Sequence, residues 1–448
     1  MHCRTLKSQL PWSVLSAGLL IAATQAICTA DVPASDAPPN ILLVLADDVG
    51  SEVLGCYGGE SYPTPRLDRL AQEGLRFEHA YTMPVCHPTR VCLLTGQYPF
   101  RLGNPRWGTF PEAAAARTLP RLLKDAGYAT AIGGKWQLAL LGDDPTHPQR
   151  LGFDESSLFG WHEGPRYYQP HIRQNGALRG DVRDRYGPDV ICDFLVDFIE
   201  RHPQQPWFAF YSMGLCHAVT NDLEKPVPVG PNGRYQTYAE MVAAMDDRVG
   251  RLLDALDALG QRDNTLVIFF TDNGTPARNV DAVRGDQLVY APVASRRQGQ
   301  SIPGGKGQLT DAGTRVPLLV RWPGVVEAGR TTDCLVDVSD LLPTLVEVAS
   351  ARLPDEVVLD GKSFASCLRG TGPGAREWVF AEHKGRAFVR DRRFKLDTQG
   401  TLWDLASDPA EQQTRSLDGL KGSQAKAVGR LKLALDQLHA AGLPLTPE

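Results

Sequence analysis

Two matching segments constrain the fold of this chain more than anything else in it. Residues 40–45 (Asn-Ile-Leu-Leu-Val-Leu) form an unbroken apolar run that ends in Ala46-Asp47-Asp48-Val49-Gly50. Residues 265–270 (Thr-Leu-Val-Ile-Phe-Phe) repeat the pattern and end in Thr271-Asp272-Asn273-Gly274. Runs of this kind fit strands buried on both faces of a parallel sheet. Their carboxyl ends are where open α/β sheets bind ligands. Taken singly, Asp-Asp-x-Gly is also a common turn closed by an Asx bond. Two such ends can nevertheless converge on one point from adjacent strands.

The segments between them alternate in type. Helical patterns cover Thr64–Glu73, Leu119–Ala126, Pro188–Glu200 and Tyr238–Leu259, and short strands are expected at Tyr128–Ile132, Trp207–Tyr211 and within 314–324. Thr275–Pro303, polar and bearing Arg278, Arg284, Arg296 and Arg297, reads as loop-like, either a solvated insertion or a rim that contacts substrate. After Pro354 the pattern changes to short strand-like pieces (Trp378–Glu382, Arg386–Arg390, Arg393–Leu396, Leu402–Leu405) and a terminal helix over Ala425–Ala441. The expected fold is therefore α/β: a large mixed, mostly parallel sheet flanked by helices over 31–353, with a smaller C-terminal antiparallel sheet plus helix over 354–448. A chain of 448 residues is long enough for both.

Residues 1–30 read as an export signal, with Arg4 and Lys7 ahead of an apolar run from Trp12 to Ala26 and small residues after it. Nothing later reads as a stable membrane span, so an exported protein, periplasmic or extracellular, is expected. A net charge of -5 gives no basic footprint for nucleic acid. Six cysteines outside the signal and position 86 (Cys56, Cys92, Cys192, Cys216, Cys334, Cys367) show no CxxC spacing, and their pairing is not readable from sequence.

Chemistry concentrates in Cys86-His87-Pro88-Thr89-Arg90-Val91-Cys92-Leu93-Leu94-Thr95-Gly96. Pro88 suits the first turn of a helix and Gly96 its end. Cys86 would stand at the helix N-terminus, where negative charge is favoured, with Arg90 one turn on. Asp47, Asp48, Asp272 and Asn273 form an all-oxygen, mostly anionic set that suits a hard cation, calcium before magnesium.

Cys-x-Pro-x-Arg followed by Leu-Thr-Gly resembles the signature of type I sulfatases of the alkaline phosphatase superfamily. In that family the cysteine is oxidised to formylglycine by a dedicated maturation enzyme. Further matches follow in family order: Asp47-Asp48, Gly134-Lys135-Trp136, His217, Asp272-Asn273-Gly274, Gly305-Lys306-Gly307, Arg315-Val316-Pro317, and Leu402-Trp403-Asp404-Leu405 with Asp408, Pro409 and Glu411. The resemblance implies Asp47, Asp48, Asp272, Asn273 and the modified Cys86 as metal ligands. It implies Arg90 as the residue that holds the hydrate, Lys135 and Lys306 as sulfate-binding residues, and His217 or Lys306 as the proton donor to the leaving oxygen. The implied reaction is hydrolysis of a sulfate ester, on a sulfated carbohydrate or an aryl sulfate. Relatives that hydrolyse phosphodiesters or phosphonate monoesters, and a sulfated-glycan-binding protein without turnover, are the alternatives. Two departures stand out. Thr89 replaces the usual serine, and Gln137 replaces the histidine two residues after the lysine of Gly-Lys-Trp. The second removes a base, leaving slower sulfate release or a substitute base, with His162 the nearby candidate.

Overall fold

The computed structural model describes residues 38–218, 227–284, 287–354 and 357–444. The export signal expected at 1–30 lies outside the described residues. The fold is organised by the first apolar run, strand β1 (Asn40–Ala46), and by seven further strands: β2 (Leu75–Tyr81), β3 (Ala129–Trp136), β4 (Glu155–Gly160), β5 (Arg173–Gln174), β6 (Ala177–Leu178), β7 (Trp207–Ser212) and β8 (Thr265–Thr271). Two hairpins follow, β9 (Arg278–Arg284) with β10 (Gln287–Pro292) and β11 (Ala294–Arg297) with β12 (Gln300–Pro303). Strands β13 (Leu318–Arg321) and β14 (Arg330–Asp337) complete a ten-stranded sheet of order β14-β2-β13-β8-β1-β7-β3-β4-β5-β6. Its centre, β8-β1-β7-β3-β4, is parallel, and antiparallel pairs occur towards both edges. The expected large mixed sheet is what the chain builds.

Burial on both faces is visible residue by residue along β1. Ile41, Leu43 and Leu45 join one apolar cluster with the Cys86–Thr95, Leu119–Asp125 and Leu341–Val348 helices. Leu42, Val44 and Ala46 join the other, with the Pro65–Gln72, Gly187–Arg201 and Tyr238–Ala258 helices. Strand β8 divides in the same way, Leu266, Ile268 and Phe270 to one side and Val267 and Phe269 to the other. Side chains alternate across a strand, so a continuous apolar run needs cover on both faces and finds it.

The C-terminal region forms a four-stranded antiparallel sheet, β15 (Val379–His383), β16 (Arg386–Arg390), β17 (Phe394–Asp397) and β18 (Leu402–Asp404), with the Gly422–Ala440 helix packed on it. Among the described residues Cys334 and Cys367 form a disulfide, and Cys56, Cys86, Cys92, Cys192 and Cys216 are free. The segment 275–303 corrects the expectation of a loop: it is two hairpins. Their strands lack a continuous apolar face, since β10 and β12 are largely exposed, and so carry no periodic signal.

Candidate active site

Strand register assembles the site. Leu45 pairs with Ser212 and Phe270, and Ser212 pairs with Gly134. The ends of four adjacent strands are thereby level, and the residues just beyond that row are Lys135, Asp47 and Asp272. Gly134 is required here: its φ is 111° and a Cβ would lie 2.1 Å from the Ser212 carbonyl oxygen, a close approach only glycine permits. Asp48 turns the chain directly after β1 with φ 63°, a left-handed conformation that aspartate tolerates better than most residues. Tyr238 Oη donates to its carbonyl at 2.8 Å and fixes the turn.

The Cys86–Thr95 helix enters from one face. Pro88 lies in its first turn, and Gly96 closes it with φ 66°. Thr89 Oγ1 donates to the Asp272 carbonyl at 2.7 Å, so threonine keeps the hydroxyl that serine would supply. Arg90, fully enclosed, donates to Asp272 Oδ2 from Nη2 (2.6 Å) and Nε (3.2 Å) and to Ser212 Oγ from Nη1. Ser212 Oγ in turn donates to the Lys135 carbonyl at 2.6 Å. The loop after β7 docks through Asp47 N–H to Leu215 O at 2.8 Å, which delivers His217. Lys306 is held on both sides of its backbone, by its own N–H to Thr275 O (3.0 Å) and by Gly307 N–H to Pro84 O (2.8 Å).

All nine residues singled out from sequence meet in one cluster. Ligand atoms of Asp47, Asp48, Cys86 and His217 lie within 4.8 Å of one another. Asn273 Nδ2 donates to Asp48 Oδ1 at 2.8 Å, and Asp48 N–H reaches Asp272 Oδ1 at 3.3 Å. Lys135 pairs with Asp47 and lies 4.0 Å from Asp272, while Lys306 Nζ lies 2.6 Å from Asp48 Oδ1. Residues without a sequence signal complete the wall. Trp161 packs edge-on against His217 (4.6 Å) and under the Lys135 ammonium (4.3 Å), and Arg166 also covers its ring (4.1 Å).

The electrostatics follow from burial and these charges. Burial pushes the Asp47 carboxyl up, but the charges of Lys135, Lys306 and Arg90 outweigh it and hold it far below the usual carboxylate range. Asp48 is pushed up to about 6, by burial first and then by Asp47 and Asp272, against the pull of Lys306. His217 is lowered by burial and then by Lys306, and is neutral at pH 7. Its Nδ1 faces the Ala218 carbonyl at 2.8 Å and so carries the proton. Burial raises the Cys86 thiol to about 11, so an unmodified cysteine here is protonated and a weak nucleophile.

A cavity of about 470 Å³ opens beside Cys86. Gln137 borders it, and its buried Oε1 lacks a hydrogen-bond partner. His162 does not border it; its ring packs against Trp107 (5.1 Å) and Trp161 (6.0 Å). None of Arg278, Arg284, Arg296 and Arg297 borders it either. Arg297 Nη1 instead lies 3.4 Å from Ser51 Oγ, and Arg296 Nε 3.8 Å from Glu60. Arg315 donates to Glu78 O at 2.9 Å, on β2, so that its motif acts on the scaffold.

The sulfatase family model matches residues 39–351. The chain belongs to the sulfatase family, whose reaction is the hydrolysis of sulfate esters. A second model, for the C-terminal region of N-sulphoglucosamine sulphohydrolase, matches residues 305–439. Steryl-sulfatase of Mus musculus is 31% identical over 84% of this chain and 73% of its own length. N-acetylgalactosamine-6-sulfatase of Homo sapiens is 33% identical over 74% of this chain and 66% of its own length. Among solved structures, Ps i-CgsB superposes with a TM-score of 0.72 at 26% identity, covering 90% of this chain and 93% of that one.

Proposed function

We propose that this sulfatase works through a formylglycine at position 86 and a calcium ion held by Asp47, Asp48, Asp272 and Asn273. The carrying observation is a pair of buried oxygens without a hydrogen-bond partner: Asp47 Oδ1, of a residue grouped with Cys86, and Asn273 Oδ1, of a residue bonded to Asp48 of the same group. Leaving such atoms unsatisfied costs about 1–3 kcal/mol each, and a hard cation satisfies both with the ligand type it prefers. When present, the cation would polarise sulfate oxygens and the formylglycine hydrate would supply the attacking hydroxyl.

The chain's own residues do the rest. Lys135 and Lys306 neutralise the sulfate oxygens as the S–O bond to the alcohol breaks. Lys306 is the protonated member of the Lys306–His217 pair at pH 7 and gives its proton to the departing oxygen. Arg90 keeps Asp272 ionised and in place. The substrate is a sulfated carbohydrate rather than a simple aryl sulfate, a reading that the exposed Trp107 ring on the cavity border supports. Export is part of the same reading, from the basic–apolar–small pattern of residues 1–30 and the Cys334–Cys367 disulfide.

Peptide mass spectrometry across residue 86 of protein from its native host tests the proposal, together with initial rates on nitrophenyl sulfate and nitrophenyl phosphate. The expected results are –CHO in place of –CH2SH and a preference for the sulfate ester that disappears with a calcium chelator. Unmodified Cys86, from a host whose maturation machinery works, sinks the mechanism; a preference for phosphate replaces it with phosphoester hydrolysis.

Gln137 gives a second expected result. An amide can bind the hydrate but cannot take its proton, and general-base catalysis contributes about 10²–10⁴-fold. Gln137→His should raise steady-state turnover by about tenfold or more and leave the first-turnover rate unchanged. Equal turnover in rapid-mixing assays would show that residue 137 does not limit sulfate release.

A further inference from the structure

The cavity beside Cys86 falls within the ~300–1,000 Å³ usual for small-molecule sites. Two segments distant in sequence border it: one runs through Asn104, Pro105 and Trp107, the other is the β15–β16 turn from Glu382 to Ala387. Trp107 is 40% exposed, a large apolar ring left uncovered at the mouth of a reactive site. The His162 imidazole rests on it at 5.1 Å, so its position is set before a ligand arrives. The face of an aromatic ring is electron-rich and suits the C–H edges of a sugar.

The second segment carries two cations. Lys384 and Arg386 flank a tight turn in which Lys384 and Gly385 are left-handed, with φ 50° and 70°, while burial and then Lys384 lower the preceding His383 and keep it neutral at pH 7. Lys384 is exposed and has no ion-pair partner among the described residues. Arg386 is half exposed and lies 3.3 Å from one oxygen of Asp397, which leaves other guanidinium N–H groups free for a ligand. Among the described residues Glu382 is the only acid on this border. It accepts the Phe100 N–H at 3.0 Å, and burial raises it to about 7. A locally positive border on a chain of net charge -5 marks a binding preference. These cations are separate from the Lys135–Lys306 pair that flanks the transferred sulfate.

Resting on the sulfatase reading, we propose that the substrate is a saccharide carrying a second anionic group besides the sulfate that is cleaved. Lys384 and Arg386 bind that group, a carboxylate or another sulfate, while Trp107 stacks on a sugar ring. Neutral-ended sulfate esters make only part of these contacts.

The test uses the full chain with Cys86→Ala, saturated with calcium, and measures binding by calorimetry. Three probes are compared: a methyl glycoside with one sulfate, a disaccharide with that sulfate and a uronate carboxylate, and a monosaccharide with two sulfates. At least one ligand with a second acid should bind about tenfold or more tightly than the monosulfated glycoside, a difference of about 1.4 kcal/mol. Whichever gains identifies the second group. Lys384→Ala/Arg386→Ala should remove that gain and leave the monosulfated glycoside nearly unaffected, whereas Trp107→Ala weakens every saccharide. Equal binding of the three probes, no binding of any, or an equal loss for all three in the double variant overturns the proposal. Nitrophenyl sulfate turnover by the unsubstituted enzyme is measured separately. Its absence would count against the sulfatase reading, while the binding preference stands or falls on its own result.

Discussion

Asp272→Ala should abolish sulfate release and cost the fold about 3–5 kcal/mol, the usual result of stripping one partner from a buried ion pair. Asp272 is wholly enclosed, and its Oδ2 takes two N–H bonds from Arg90, itself 4% exposed. Without the carboxylate, Arg90 keeps only Ser212 Oγ as a side-chain hydrogen-bond partner, and a buried guanidinium loses its directly bonded counter-charge, leaving the more distant Asp47. The Asp48 N–H also loses its acceptor. Denaturant unfolding in chelator isolates this structural cost from any contribution of the cation. Asp272→Asn keeps the shape and should lose less stability, yet sulfate release should still fall at least about 100-fold, as losses around a metal centre do. Arg90→Met combined with Asp272→Asn should recover part of the stability, because the uncompensated charge is gone, and none of the activity. A loss below about 1 kcal/mol for Asp272→Ala, the range of a surface pair, would show that Arg90 finds another partner and that this network is not what fixes the site.

Much of this was legible because the informative signals were local. The β1 and β8 runs are continuous only if both faces are covered, and a strand of that kind has few places in a fold. Pro88 and Gly96 bracket the Cys86 helix by backbone chemistry alone. Convergence of Asp47, Lys135 and Asp272 needed one further ingredient, the level register of four strands. Other parts lacked such signals. Ser212 is an ordinary serine one residue past an apolar run, and its importance comes from lying between Arg90 and the Lys135 carbonyl. The arginines of 278–297 stood out by composition, but composition does not say which way a hairpin faces. Trp107 and Lys384 border one cavity only through tertiary packing, which leaves no pattern in either segment.

The C-terminal motif ending at Glu411 shows how a distant segment can act on the site, and it yields the other large effect. Glu411 pairs with Lys395, and its Oε1 accepts the Asp311 N–H at 2.6 Å. Lys395 also donates to Leu309 O, and Asp311 Oδ1 takes Arg390 Nη1 at 2.6 Å. The Arg390 guanidinium lies over the Tyr81 ring at 4.7 Å. Lys395 and Arg390 are both 2% exposed, so the small sheet grips residues 309–311, only a few positions after Lys306. Glu411→Leu leaves Lys395 buried without its directly bonded carboxylate, with only Asp311, already paired to Arg390, to offset it, and should cost about 3–5 kcal/mol. Adding Lys395→Met removes the stranded charge, and stability should largely return, since apolar pairs often replace buried ion pairs at little cost. Activity should not return to the same extent. The Asp311 N–H still lacks its acceptor, and the segment that positions Lys306 stays loosened, so KM for a sulfate ester should remain raised while Tm recovers. Parallel recovery of both quantities would show that Glu411 serves stability alone, and Lys306 would then owe its position to Thr275 and Pro84 without help from the small sheet.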